Sequence, residues 1–218
     1  MSGFVQKTFT TKGYVQMALI KIINIAFSLV RIALVKNMVN YKILSNREKH
    51  NRFSNVKSRC GKEYQEENPR YKGTFMWEGW LKHKTKTFFV WLDNNYYEVD
   101  GEQMDIDKDI LQYGNKQYHP DLCLVVPHSI NTFFENIEVG KTNIIQSVIT
   151  KKYKVKVYDN GEWIRANNID TYNRALDIYC DIKQGILVNK AKALKDKIPE
   201  KVYMALMNTA PMSRFSTN

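Results

Sequence analysis

The strictest constraint on the fold lies between Lys151 and Asn168, in KKYKVKVYDNGEWIRANN. Tyr153, Val155 and Val157 alternate with Lys152, Lys154 and Lys156, and a period of two belongs to a strand with one buried face. Asp159-Asn160-Gly161 then supplies residues suited to a tight hairpin turn, ahead of a second strand around Trp163 and Ile164. Such a hairpin has one apolar and one cationic face, and the apolar face needs a cover. The stretch from Asp170 to Lys183, DTYNRALDIYCDIK, reads as a helix that provides it through Ala175, Leu176, Ile178 and Tyr179, with Gly185 as its stop. A further helical region spans Asn189 to Asn208, broken at Pro199, with Leu194, Ile198, Val202, Tyr203 and Leu206 as its buried side.

Charge narrows the choice of partner. The 218 residues carry a formal net charge of +11, and the isoelectric point near 9.4 favours a polyanion, either nucleic acid or an anionic membrane surface. Residues 1–100 hold 17 Lys and Arg against 8 Asp and Glu, residues 101–150 hold 3 against 7, and residues 151–218 hold 13 against 7. Basic flanks around an acidic middle suit a phosphodiester-directed protein, because cations hold the backbone while carboxylates hold a divalent metal. Random clustering on a solvated surface is the plainer alternative. Cys60, Cys123 and Cys180 form no Cys-x-x-Cys pair, so neither a zinc knuckle nor a disulfide framework is expected, and inert thiols fit a reducing cytoplasm.

From Tyr14 to Met38 the chain is apolar, with LIKIINIAFSLVRIALV at its centre. Lys21, Asn24, Ser28 and Arg31 fall on one helical stripe. A central cation costs about 2.5–3.5 kcal/mol in a bilayer, so a packed or self-associating helix is favoured over membrane insertion through residues 15–39. Lys42 to Lys72 interleaves Arg47, Lys49, Arg52, Lys57, Arg59, Lys62, Arg70 and Lys72 with Phe53, Tyr64 and Tyr71, a pattern that can grip phosphates and pack on bases or simply form a solvated helix and loop. Phe75, Trp77, Trp80, Phe88, Phe89 and Trp91 are expected in the core.

The acidic middle contains the candidate chemistry. Asp107 ends a predicted short strand inside the Asp105, Asp107 and Asp109 cluster, Asn115 lies in a Gly-Asn loop, and Asn131 opens an apolar run suited to a helix. Asp107 is the best expected metal ligand, because a carboxylate oxygen suits Mg²⁺ or another divalent cation. His128 sits three residues before Asn131, on the same helical face if the helix starts early enough. Other readings of the same residues are an exposed charged strand, a helix cap at Asn131 and surface histidines.

The run from Asp107 to Asn131 resembles the metal-binding core of an HNH-type nuclease with its histidines largely replaced. Taken with RCGKEYQEENPRYKG, WEGWL, NNYYEVDGEQM and IPEKVYMAL, the region from about residue 52 to 208 is similar to a family of bacteriophage HNH-endonuclease-like, Apetala-type DNA-binding proteins. The resemblance implies an α+β chain, with an HNH-like β-β-α core around residues 90–136 followed by a small antiparallel sheet plus helix, here a shortened unit over residues 144–183. It divides the chain into an N-terminal helix over 1–45, the core with its basic lead-in over 46–137, the sheet-plus-helix unit and terminal helix over 138–208, and a tail over 209–218.

By the same resemblance Asp107 and Asn131 would hold the metal, and Asn115 would orient the base or hold the loop. Lys108 stands where a general-base histidine is expected, and an ordinary lysine keeps its proton at neutral pH, which leaves His128 or His119 as the substitute base. Arg52, Lys57, Arg59 and Lys72 would contact DNA, and Lys152, Lys154, Lys156 and Arg165 would lie on the sheet face that approaches the major groove. The implied function is a phage-type DNA-binding protein with a Mg²⁺-dependent endonuclease or nickase core, acting on double-stranded DNA in the host cytoplasm. Its alternatives are a non-catalytic DNA-binding protein of the same fold and a membrane-associated basic protein.

Overall fold

The computed structural model describes residues 39–135 and 142–209. The chain divides into two units, Met1–Val39 and Asn40–Asn218. The expected apolar helix and its possible membrane role lie almost wholly outside the described residues. Among the described residues, no helix is long and apolar enough to cross a membrane.

The second unit mixes small sheets with helices, as an α+β chain should. Its first strand, β1 (Asn40–Tyr41), pairs antiparallel with β3 (Tyr97–Glu98), and Leu44 behind it is 4% exposed. The division between the units therefore lies before Asn40 and not at residue 45. Helix α1 (Asn46–Arg59) starts at Ser45, whose side chain accepts from the Glu48 amide while the Glu48 carboxylate accepts in return from the Ser45 amide. Phe53 and Val56 turn one face inward, and Lys49 joins them because its ammonium meets Asp93. Next come α2 (Lys62–Glu67), a 3-10 turn at Pro69–Tyr71, β2 (Phe75–Met76), α3 (Glu78–Lys82) and α4 (Phe88–Asn95).

The aromatic core centres on Trp80 and Phe88, both fully buried, with ring centres 4.9 Å apart and Phe53 5.4 Å from Phe88. Phe89 and Trp91 are buried as expected, but Phe75 is 52% exposed. It alternates with buried Met76 along β2, and a two-residue strand can turn only one of the pair inward.

Strand β4 (Met104–Asp107) pairs antiparallel with β6 (Leu124–Pro127), with Asp105 opposite Val126 and Asp107 opposite Leu124. Between them β5 (Gln117–Tyr118) pairs in parallel with β2, a contact that brings the 3-10 turn toward the β4 end. Helix α5 (His128–Glu135) follows β6 directly and packs on both strands. Strand, strand and helix thus form one continuous layered piece.

The sheet β7 (Ile144–Gln146), β8 (Tyr153–Asp159) and β9 (Glu162–Ile169) is antiparallel throughout. Asn160 and Gly161 close the predicted hairpin at φ 47° and 87°, the pair of positive angles that a two-residue turn demands. Val155 and Val157 are buried against α6 (Tyr172–Leu194), and α7 (Glu200–Asn208) packs on α6 after Pro199. Gly185 does not stop the helix: α6 runs through it, and a Cβ there would meet nothing within 4 Å. A mid-helix glycine costs about 1 kcal/mol, which burial of the neighbouring Ile186, Leu187 and Ala191 offsets.

Candidate functional site

Asp107, at the end of β4, is 9% exposed, and its Oδ1 accepts the amides of Asp109 and Ile110 at 2.8 and 2.7 Å. Those bonds fold the chain back immediately after the strand, as an aspartate commonly does at a turn. Lys108 points inward, 5% exposed, and its Nζ donates to the Asp109 carboxylate and the Asn115 carbonyl, both at 2.7 Å. An ammonium is a donor only, and both of these bonds use it as one. Asn115 braces the same loop: its Nδ2 donates to the Lys108 and Gln117 carbonyls, and its Oδ1 accepts the Gln117 amide.

Helix α5 supplies the opposite side. Because the helix begins at His128, residues 128 and 131 share a face, and both reach one oxygen of Asp105. His128 Nδ1 lies 2.6 Å and Asn131 Nδ2 3.0 Å from Asp105 Oδ2. A carboxylate only accepts, so Nδ1 carries a hydrogen and the Asn131 amide presents its oxygen away from Asp105. Asp105 was legible only as part of an acidic run. Its role as the group that joins His128 to Asn131 needs the register of β4 against β6.

Asp107 and Asn131 line a single open cleft of about 280 Å³, together with Arg59, Arg70, Lys108, Asp109 and Lys116 and the rings of Tyr71, Tyr113, Tyr118 and Phe134. The guanidinium of Arg59 lies 3.4 Å from the Tyr118 hydroxyl and that of Arg70 lies 5.0 Å from the centre of the Tyr71 ring. Burial pushes the Tyr118 phenol up, so this hydroxyl stays neutral beside the cations. The cleft therefore combines two carboxylates with four basic side chains, a balance suited to an anion accompanied by a cation. Arg70 and Tyr71 stood in the basic lead-in, but nothing local tied them to Asp107, and the approach of Lys116 and Tyr118 depends on the parallel pairing of β5 with β2.

Other expected residues lie elsewhere. Arg52 is turned into the fold, donating to the Met104 carbonyl at 2.8 Å and the Tyr96 hydroxyl at 2.6 Å. His119 occupies a turn, where its Nδ1 accepts the Asp121 amide at 3.2 Å and its ring meets Trp77 edge-on. Lys57 and Lys72 are exposed. Lys154, Lys156 and Arg165 share the outer face of the sheet with Tyr158 and Trp163, Lys156 standing opposite Arg165 and Tyr158 opposite Trp163. Lys152 pairs with Asp170 at 2.9 Å. Burial pushes the thiols of Cys60 and Cys180 up to about 11 and that of Cys123 to about 12, which makes all three poor nucleophiles.

Among the described residues, no group of three or more His, Cys, Asp and Glu side chains is gathered to hold a metal ion. Comparison with protein-family models, with curated proteins and with solved structures finds no match to this chain.

Proposed function

We propose that the chain is a double-stranded DNA-binding protein with an HNH-like, Mg²⁺-dependent endonuclease or nickase core. The observation that carries this reading is one cleft shared by the end of β4, which pairs with β6, and helix α5, in which Asp107 and Asn131 are lined up with Arg59, Arg70 and Lys116. The donor set fits Mg²⁺, which is commonly held by one or two carboxylates with waters and substrate phosphate completing the shell. Asp107 would supply a carboxylate oxygen and Asn131 its amide oxygen. A bound Mg²⁺ supplies charge neutralisation at the scissile phosphate. Arg59, Arg70 and Lys116 hold the phosphodiester, and Asn115 keeps the loop in place. Lys108 is a structural cation, so the proton-accepting role is assigned to His128, whose ring Asp105 orients through Nδ1. His128 is not among the residues lining the cleft but is joined through Asp105 to Asn131, which is. The outer sheet face, with Lys154, Lys156 and Arg165, supplies further phosphate contacts.

One observation favours the second reading, a DNA-binding protein that does not cleave: the base position is filled by a lysine locked between Asp109 and Asn115. Nicking of supercoiled plasmid separates the two. Wild type should nick with Mg²⁺ and stop when the metal is chelated, while Asp107→Asn, which keeps the acceptor for the Asp109 and Ile110 amides, should bind DNA and fail to nick. Tight binding by wild type without nicking under any divalent metal establishes the second reading instead.

A further inference from the structure

We propose that the turn joining β7 to β8 is an apolar wedge that enters duplex DNA beside the basic sheet face, an inference that rests on the DNA-binding reading above. Val148 and Ile149 are 83% and 92% exposed, the most exposed of the large hydrophobic side chains among the described residues. The turn that carries them is braced. The Ser147 amide donates to the Lys152 carbonyl at 2.9 Å and the Lys151 amide to the Ser147 carbonyl at 3.0 Å. The Thr150 amide donates to Ser147 Oγ at 3.1 Å, and Gln146 Nε2 donates to the Lys151 carbonyl at 2.9 Å. Turn positions ordinarily carry Gly, Asn, Asp or Pro, whereas here Val148, Ile149 and Thr150 place three β-branched residues in succession. A fixed turn that holds two apolar side chains out in solvent is built to meet something.

Charge complementarity identifies the partner as a polyanion. Lys151 follows the tip, ahead of Lys152 with its Asp170 partner, half-exposed Ile145 stands opposite Lys154 across the β7–β8 pair, and Lys156 and Arg165 extend the basic face. A lipid surface is also anionic, but interfacial anchors put their aromatic rings at the membrane, and here Tyr158 and Trp163 stand beside the far turn at Asn160-Gly161. Small aliphatic side chains at the end of a basic ribbon instead match wedges that part a base step while cations grip the flanking phosphates. Parting a step opens the side that the wedge enters and kinks the duplex, and the bent DNA can then meet more of the protein surface.

The full chain is mixed with a short duplex that carries a fluorophore at each end and 2-aminopurine at an internal step. Wild type should shorten the end-to-end distance and raise 2-aminopurine emission. The double variant Val148→Ser with Ile149→Ser should keep its salt dependence of binding and lose both signals, and Ile149→Phe should keep them. Wild type that binds without bending or unstacking overturns the wedge, and so does a serine variant that retains both signals. A serine variant with unchanged DNA signals that no longer binds phosphatidylglycerol vesicles assigns the tip to lipid and overturns it as well. Absence of any DNA binding by wild type sinks the DNA reading itself, and the wedge with it.

Discussion

Lys108 in the cleft at Asp107 and the cations on the outer face of the β7–β9 sheet are held in opposite ways. In the cleft, Lys108 is 5% exposed and committed to two acceptors, and the Asn115 side chain makes three hydrogen bonds around it. On the sheet, Arg165 is exposed, Lys154 and Lys156 are half-buried, and Trp163 lies about 6.0 Å beneath both the Lys156 ammonium and the Arg165 guanidinium. A charge fixed by buried partners contributes to the fold, so its removal is read in stability. A charge left near water contributes through counterion release, so its removal is read in the salt dependence of binding.

The largest effect should come from the cleft. Lys108→Met leaves the Asp109 carboxylate and the Asn115 carbonyl without their donor, and the expected loss is about 2–4 kcal/mol in urea unfolding. Lys108→His should cost nearly as much, because the shorter imidazole cannot reach both acceptors, so it is a poor way to restore a base. If either variant is as stable as wild type, the difference between the two regions disappears.

Next in size is Asp107. Asp107→Ala removes the acceptor for two amides and should lose about 1–2 kcal/mol, whereas Asp107→Asn retains an oxygen there and should lose less. Equal losses in thermal unfolding would mean that charge, and not the turn, is what Asp107 contributes to the fold.

On the sheet, Lys154→Ala with Lys156→Ala should leave unfolding within about 0.5 kcal/mol of wild type. The same variant should flatten the slope of log affinity against log salt by about two units. A large stability change with an unaltered slope would make this face structural.

The smallest expected effect sharpens the contrast from within the fold. Lys183 on α6 is 8% exposed, its Nζ 4.5 Å from the centre of the Phe133 ring, and burial lowers its pKa below the ordinary 10.5. Asp159 works against that shift, and Lys190 adds to it. A lysine depressed in the folded state binds fewer protons there than in the unfolded chain, so stability rises with pH between the folded value and 10.5. Lys183→Met should remove that rise and slightly stabilise the protein at neutral pH, the opposite sign to Lys108→Met. Urea unfolding at neutral and mildly alkaline pH reads both.

Local patterns were the legible ones. The hairpin over β8 and β9 follows from alternation and from Asn160-Gly161, both contained within a few residues, and the end of β4 at Asp107 and the Asn115 loop were equally local. Gly185 misled because propensity marks it as a stop while the buried face of α6 carries the helix through. Phe75 misled because composition cannot tell which side of a two-residue strand faces the core. The rim of the cleft was hidden for a different reason. Arg70, Lys116 and Tyr118 converge through the β2–β5 pairing, and Asp105 finds His128 through strand register across 23 residues, relations that no local period encodes.

Both regions are assigned to duplex DNA, and the affinity of the full chain for a duplex across a salt series tests that assignment most directly. Log affinity should fall linearly with log salt at about 0.9 per phosphate neutralised, with a total slope of several units shared between the cleft and the sheet. Undetectable binding at low salt, or an affinity that does not change with salt, would contradict it.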